Sequence, residues 1–143
     1  MHELINLVKG KSRHGHRLYV STSYGGGQIP GPHVVRSSDF LLLHGNGVED
    51  PDGITRMIEK TRNTEGYSEM PILFNEDDHY DFDKPVNNFV NAVKAHASWG
   101  FFDYRRDGEA FEEGFQSVPV DWKIGSDRKS QFFNLVKEMT SEK

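Results

Sequence analysis

The stretch Pro71-Ile72-Leu73-Phe74-Asn75-Glu76-Asp77-Asp78-His79 decides how this chain is read. Pro71-Ile72-Leu73-Phe74 reads as a short, mainly apolar strand, and it passes at once into amide, carboxylate and imidazole groups. A strand that is apolar along its length and polar at its carboxyl end is what a parallel sheet with a ligand site requires. Glu76, Asp77 and Asp78 also place three carboxylates side by side. They repel one another, and folding alone gives no reason to gather them. Such crowding can raise a carboxyl pKa for acid–base work or hold a divalent cation. A solvated acidic loop is the plain alternative.

Working back from this stretch, Asp50 reads as a helix N-cap, with Pro51 in the first turn and Asp52 near the positive dipole end. The buried face of that helix is Ile54, Met57, Ile58 and Thr61. Before it, residues 40–43 read as a strand running into His44-Gly45-Asn46-Gly47. A further strand is expected over 17–22, followed by the turn Tyr24-Gly25-Gly26-Gly27, and a helix over 2–9 that Gly10 ends. Working forward, Asp83 is the expected cap of a helix carrying Val86, Phe89, Val90, Val93 and Ala97 inward. A short strand follows over 99–104, then an irregular stretch over 105–125 with Phe111, Phe115 and Trp122. Ser126 caps the last helix, whose expected inner face is Phe132, Phe133, Val136 and Met139. The pattern is α/β: one helix followed by four strand–helix units in a single domain over residues 1–143, with the strands parallel.

Composition narrows the function classes. The chain has 143 residues with 17 Lys and Arg against 22 Asp and Glu, a formal net charge of -5. That balance argues against a dedicated nucleic-acid partner, which needs clustered excess cations. There is no cysteine, so disulfide scaffolds, thiolate metal sites and cysteine nucleophiles are excluded. Apolar runs such as 40–43 fall far short of the roughly twenty residues of a membrane span, and the first residues lack the profile of a secretory signal. A soluble chain without a membrane partner is expected, with no compartment assigned.

All four expected strands end in polar residues. Ser21 and Ser23 follow the first, His44 and Asn46 the second, Asn75, Glu76, Asp77 and Asp78 the third, and Asp103 and Arg105 the fourth. In a parallel sheet these ends lie on one side, where open sheets and barrels alike place their ligands. His44 could orient a carboxylate or a substrate hydroxyl, and Trp99 could stack on a ligand or belong to the core. Gly25-Gly26-Gly27 lacks the Lys-Ser/Thr of a P-loop and the spaced glycines of a dinucleotide fingerprint. No cofactor is expected.

The succession Leu18-Tyr19-Val20-Ser21, Leu41-Leu42-Leu43-His44-Gly45-Asn46, Pro71-Ile72-Leu73-Phe74-Asn75-Glu76 and Trp99-Gly100-Phe101-Phe102-Asp103-Tyr104 resembles a glycoside hydrolase barrel. It is similar to strands five to eight, the C-terminal half of a clan A (β/α)8 TIM barrel. The resemblance implies that Glu76 is the nucleophile. It implies a sugar- or polyol-binding set of His44, Asn46, Asn75, Asp77, His79, Trp99, Asp103 and Arg105, with no metal. The general acid of that family belongs to the half that is absent, and retaining hydrolysis needs two carboxyls about 5–5.5 Å apart. The implied protein is a truncated or fragmentary glycosidase with weak or no activity alone.

Four units cannot close a barrel that takes about 250 residues. The open edges of such a half invite a second copy, so a homodimer paired through edge strands is expected, with Asp103 of one subunit across from Glu76 of the other. Two alternatives stand beside this reading. One is a small flavodoxin-like open α/β domain that binds or signals. The other is a metal-dependent hydrolase built on Asp77, Asp78 and His79.

Overall fold

In the computed structural model, which describes residues 1–103, 107–110, 124 and 126–141, Leu41–His44 and Ile72–Glu76 pair as parallel strands. Leu41 stands opposite Ile72, Leu42 opposite Leu73 and Leu43 opposite Phe74. Ser98–Trp99 adds, also parallel, to the far side of Ile72–Glu76. Among the described residues these are the only strands of the sheet, in the order β1 (Leu41–His44), β2 (Ile72–Glu76), β3 (Ser98–Trp99). The helices are α1 (His2–Lys9), α2 (Pro32–Ser37), α3 (Pro51–Arg62), α4 (Asn88–Lys94) and α5 (Asp127–Thr140). Each parallel step therefore crosses over through one helix, α3 and then α4, as parallel pairing demands.

Alternation along β1 and β2 sends Leu41, Leu43, Ile72 and Phe74 to one face, where all four are buried. They meet Ile54, Met57 and Ile58 of α3, Ala92 of α4 and Val35 of α2 in one cluster. Each large side chain removed from water there contributes about 1.5–3 kcal/mol. The spacing of α3 is the one the sequence predicts, and its cap is Asp50, whose carboxylate accepts from the Asp52 N–H at 3.1 Å. Ser126 likewise caps α5 by accepting from the Lys129 N–H.

Three open strands replace the expected four strand–helix units. The half-barrel fold is therefore set aside, and with it the eight-stranded homodimer. Among the described residues there is no half ring for a second copy to close.

Residues 17–22 form no strand because they are held at points instead of along a ladder. Asp39, just before β1, accepts from both terminal nitrogens of Arg17 at 2.9 and 3.0 Å and from the Val20 N–H at 2.9 Å. Its own N–H donates to the Val20 carbonyl. Leu18 and Tyr19, which a buried strand would turn inward, are 72% and 77% exposed. At the other end of β1 the Gly27 N–H donates to the His44 carbonyl at 3.0 Å. Gly26 lies so close that a Cβ would fall 2.3 Å from the Asn46 carbonyl oxygen.

The expected strand over 99–104 shrinks to Ser98–Trp99. Beyond Trp99 the chain follows β2 through single bonds, Gly100 N–H to the Phe74 carbonyl at 2.7 Å and Phe102 N–H to the Asp77 carbonyl at 2.9 Å. Tyr104 and Arg105, with Phe111, Phe115 and Trp122, lie outside the described residues.

Two helices differ from expectation. The helix α2, over a stretch for which no helix is expected above, begins at Pro32, which sits in the first turn where no N–H is needed. The cap of α4 is Asn87, not Asp83. Asn87 accepts from the Val90 N–H at 2.9 Å and donates to the Lys84 carbonyl. Pro85 disfavours helical backbone at Lys84, which delays the start. As a result Val86 and Val93 are exposed, while Asn88 and Asn91 turn inward with Val90 and Ala92. Of the expected inner face of α5, Phe133 and Met139 are exposed. Phe132 packs against Phe82, Phe89, Trp99 and Phe101.

Candidate functional site

Parallel pairing brings the carboxyl ends of β1 and β2 together, and a register irregularity shapes what meets there. Leu43 pairs with Phe74 but His44 pairs with Glu76, so Asn75 is an extra residue on β2. Such a bulge bends the strand and re-aims the side chains beside it. His44 Nε2 thereby comes to 3.6 Å from Glu76 Oε1, with the imidazole 15% and the carboxylate 38% exposed. The backbone is fixed on both sides of this pair by Gly27 N–H to His44 O and by Gly45 N–H to Glu76 O at 2.7 Å.

Among the described residues, the buried atoms His44 Nε2, Asn46 Oδ1 and Asn75 Oδ1 at this end of the sheet make no hydrogen bond. A buried polar atom left unpaired costs about 1–3 kcal/mol, so each of them gains from a compensating group at these strand ends. His44, Asn46, Asn75 and Glu76 are the candidate residues that the fold brings to these two strand ends.

Asp77 does different work. Its carboxylate is fully buried and is the meeting point of four N–H donors. Oδ1 accepts from the His79 backbone N–H at 3.1 Å and from His79 Nδ1 at 2.7 Å. Oδ2 accepts from Asn88 at 3.0 Å and from the Trp99 indole at 2.9 Å. Gly45 exists at this spot because a Cβ would lie 2.1 Å from Asp77 Oδ2. The strand ends β1, β2 and β3 and the start of α4 thus converge on one carboxylate.

This placement sets the other candidates. The His79 ring faces Asp77 and, at 3.5 Å, Asp78. Trp99 has its indole N–H committed to Asp77, and its rings lie against Phe82, Phe89, Phe101 and Phe132. Asp103 is buried and ion-paired to Arg128, with Lys129 Nζ 3.6 Å away. Burial pushes its carboxyl above the ordinary range, against the pull of those two cations. Arg128 also pairs with Glu109 and lies over the Tyr80 ring. Glu109 and Asp103 hold its guanidinium well above the usual value.

Asp77, Asp78 and His79 each offer one ligand atom within 4.8 Å of the others. The Asp77 oxygens are already saturated by four donors, so the geometry there is that of a hydrogen-bond hub. Past it, Gly47, Glu49 and Asp78 to Asp81 line an open cleft of about 360 Å³.

Reading the sequence alone overlooks Asn88, Arg128 and Glu109. The doubled Asn87-Asn88 ahead of an apolar helical run was the available signal for the first. Nothing local marks Arg128, whose partners are distant in sequence. Among the described residues no helix is long and apolar enough to cross a membrane. The fold is α/β with a small parallel sheet, and comparison with protein-family models, curated proteins and solved structures finds no match for the chain.

Proposed function

We propose that this open α/β domain binds a small polyhydroxylated ligand, a sugar or polyol, at the carboxyl ends of β1 and β2. One observation carries the reading: at these strand ends His44 Nε2, 3.6 Å from the half-exposed Glu76, and the side-chain oxygens Asn46 Oδ1 and Asn75 Oδ1 are buried with no hydrogen-bond partner among the described residues. A hydroxyl both donates and accepts. Separate hydroxyls of one ligand can donate to the amide oxygens and to the Glu76 carboxylate, and another can satisfy the imidazole nitrogen whichever tautomer is present. A ligand carrying several adjacent hydroxyls suits such a mixed set better than a simple anion, which only accepts.

The same reading retains Glu76 as the candidate nucleophile, or base, of a weak glycosidase-like reaction. His44 is then the group that exchanges a proton with it. Asp103, the expected opposing acid, is bound into Arg128 and Lys129, so binding outruns hydrolysis in this chain. The alternative of an open-sheet binding domain and the sugar-site reading meet here, because both place the ligand on the same strand ends.

The test is a titration with glycerol, monosaccharides and disaccharides followed by NMR. Millimolar ligand is expected to move the Asn46 and Asn75 side-chain amide signals and the His44 ring signals. Signals that stay fixed throughout the panel would refute the site. Release from aryl glycosides by the native chain, lost in Glu76→Gln, would add the catalytic role; equal rates in both proteins would remove it.

A further inference from the structure

Between Glu3 and Asp39 the chain carries Lys9, Lys11, Arg13, Arg17 and Arg36 and not one acidic residue, although the whole is acidic. Four of these cations, Lys9, Lys11, Arg13 and Arg17, fall on α1 and the segment after it, which makes that stretch locally basic. Within that segment His14 and Gly15 both have positive φ, and Arg13 and His16 exchange backbone hydrogen bonds, giving a tight two-residue turn.

The helix α1 is fixed to the body along one side only. Ile5 is buried, Lys9 Nζ donates to the Ser37 carbonyl at 2.8 Å and pairs with Asp39 at 3.1 Å, and the His2 ring stacks on His33. The opposite arc carries Leu4 and Leu7, both 58% exposed, with the exposed Glu3 beside them, and Val8, 39% exposed, flanks the contact side. Leu18 and Tyr19 stand exposed on the neighbouring segment. Between the two runs a groove of about 340 Å³ has Val8 and Leu18 in its wall and Lys11, Arg13 and Arg17 around it. Lys11 and Arg13 have no ion-pair partner among the described residues.

We propose that this corner docks peripherally on an anionic lipid surface. Leu4, Leu7 and Leu18 enter the headgroup–acyl boundary, and Lys11 and Arg13 meet the lipid phosphates and carboxylates. Protruding apolar side chains with cations on the adjoining segment are what interfacial binding needs, since one term is apolar burial and the other is attraction to negative lipid. A second copy packed face to face on the same arc would set Lys11 and Arg13 against their own duplicates. An anionic surface meets both features without that repulsion.

The experiment is co-sedimentation of the full chain with vesicles of phosphatidylcholine containing one third phosphatidylserine, and with vesicles of phosphatidylcholine alone. Binding to the first, little to the second, and release by high salt are expected. Lys11→Glu with Arg13→Glu is expected to weaken binding at least about tenfold. Leu4→Ser with Leu7→Ser is expected to weaken it similarly while circular dichroism stays unchanged, because both leucines are exposed. Equal binding to the two vesicles, absence of binding to either, or full binding by the leucine variant would overturn the proposal. So would self-association of the native chain in light scattering that the leucine variant abolishes without any vesicle binding, which would assign the arc to another copy.

Discussion

The Trp99 indole donates to Asp77 Oδ2 at 2.9 Å, from a strand of two residues to the residue that follows the neighbouring strand. That bond ties the short β3 to the exit of β2 more firmly than two ladder residues could. It is one of four N–H contacts that end on the same buried carboxylate. The polar end of this sheet therefore has two parts. One is a closed knot around Asp77, and the other is an open set around His44 and Glu76.

Asp77→Ala leaves the Asn88, Trp99 and His79 donors without their acceptor. A loss of about 3–5 kcal/mol is expected, as for a buried charged group stripped of its partners. Urea unfolding measures it. A loss below about 1 kcal/mol would show that the knot does not hold the strand ends.

Gly45→Ala drives a Cβ into the Asp77 carboxylate. Overpacking of this kind costs about 1–3 kcal/mol. Combined with Asp77→Ala the two losses should fall well short of their sum, because removing the carboxylate makes room for the methyl. Strict additivity in the double-mutant cycle would contradict the contact.

Glu76→Gln separates binding from stability. The side chain is 38% exposed and keeps its shape, so unfolding should move by no more than about 0.5 kcal/mol. Polyol affinity should fall about tenfold, the loss of one charge-assisted hydrogen bond. Calorimetric titration beside the unfolding curve reads both quantities.

Asp39 gives the chain an acid limit. The Arg17 guanidinium, helped by the Val20 N–H and Lys9, holds its carboxyl well below the usual aspartate range against the opposing effect of burial. A depressed folded value means that the unfolded chain binds the proton first. The contribution is thus complete above the ordinary aspartate pKa of about 4 and is lost as pH falls below it. Unfolding midpoints of the native chain should drop between pH 4 and pH 2. Asp39→Asn should be less stable at neutral pH and show a shallower acid decline.

Asn87→Ala should cost about 1 kcal/mol, the usual worth of an N-cap, while Asp83→Ala should stay within about 0.5 kcal/mol. Thermal unfolding of the two variants side by side checks which residue starts α4. Equal losses would return the cap to Asp83.

Much of the fold could be read from local pattern. Asp50-Pro51-Asp52 marks its helix by side-chain chemistry that needs no tertiary partner, and the structure places α3 there. Leu41 to Leu43 and Ile72 to Phe74 are apolar enough to be strands in any α/β setting. The segment 17–22 has the same composition yet forms no strand, because Asp39, some twenty residues away, takes its hydrogen bonds. A distant competitor of that kind leaves no mark on local composition. The cluster after β2 was visible, but its division was not. Adjacent carboxylates look alike in sequence, and only the arrival of Asn88, Trp99 and His79 makes Asp77 a buried hub while Glu76 stays open.

The knot at Asp77 also decides where the chain can be lengthened. An added residue between Glu76 and His79 would pull the carboxylate away from β1, β3 and α4 together, so even a short graft there should prevent folding. The connection from α3 to β2, at the opposite rim, crosses 63–71 through exposed Asn63, Glu65 and Gly66. A peptide tag or reporter inserted in that connection should be carried without harm, which makes the amino-end rim the natural place to attach a label.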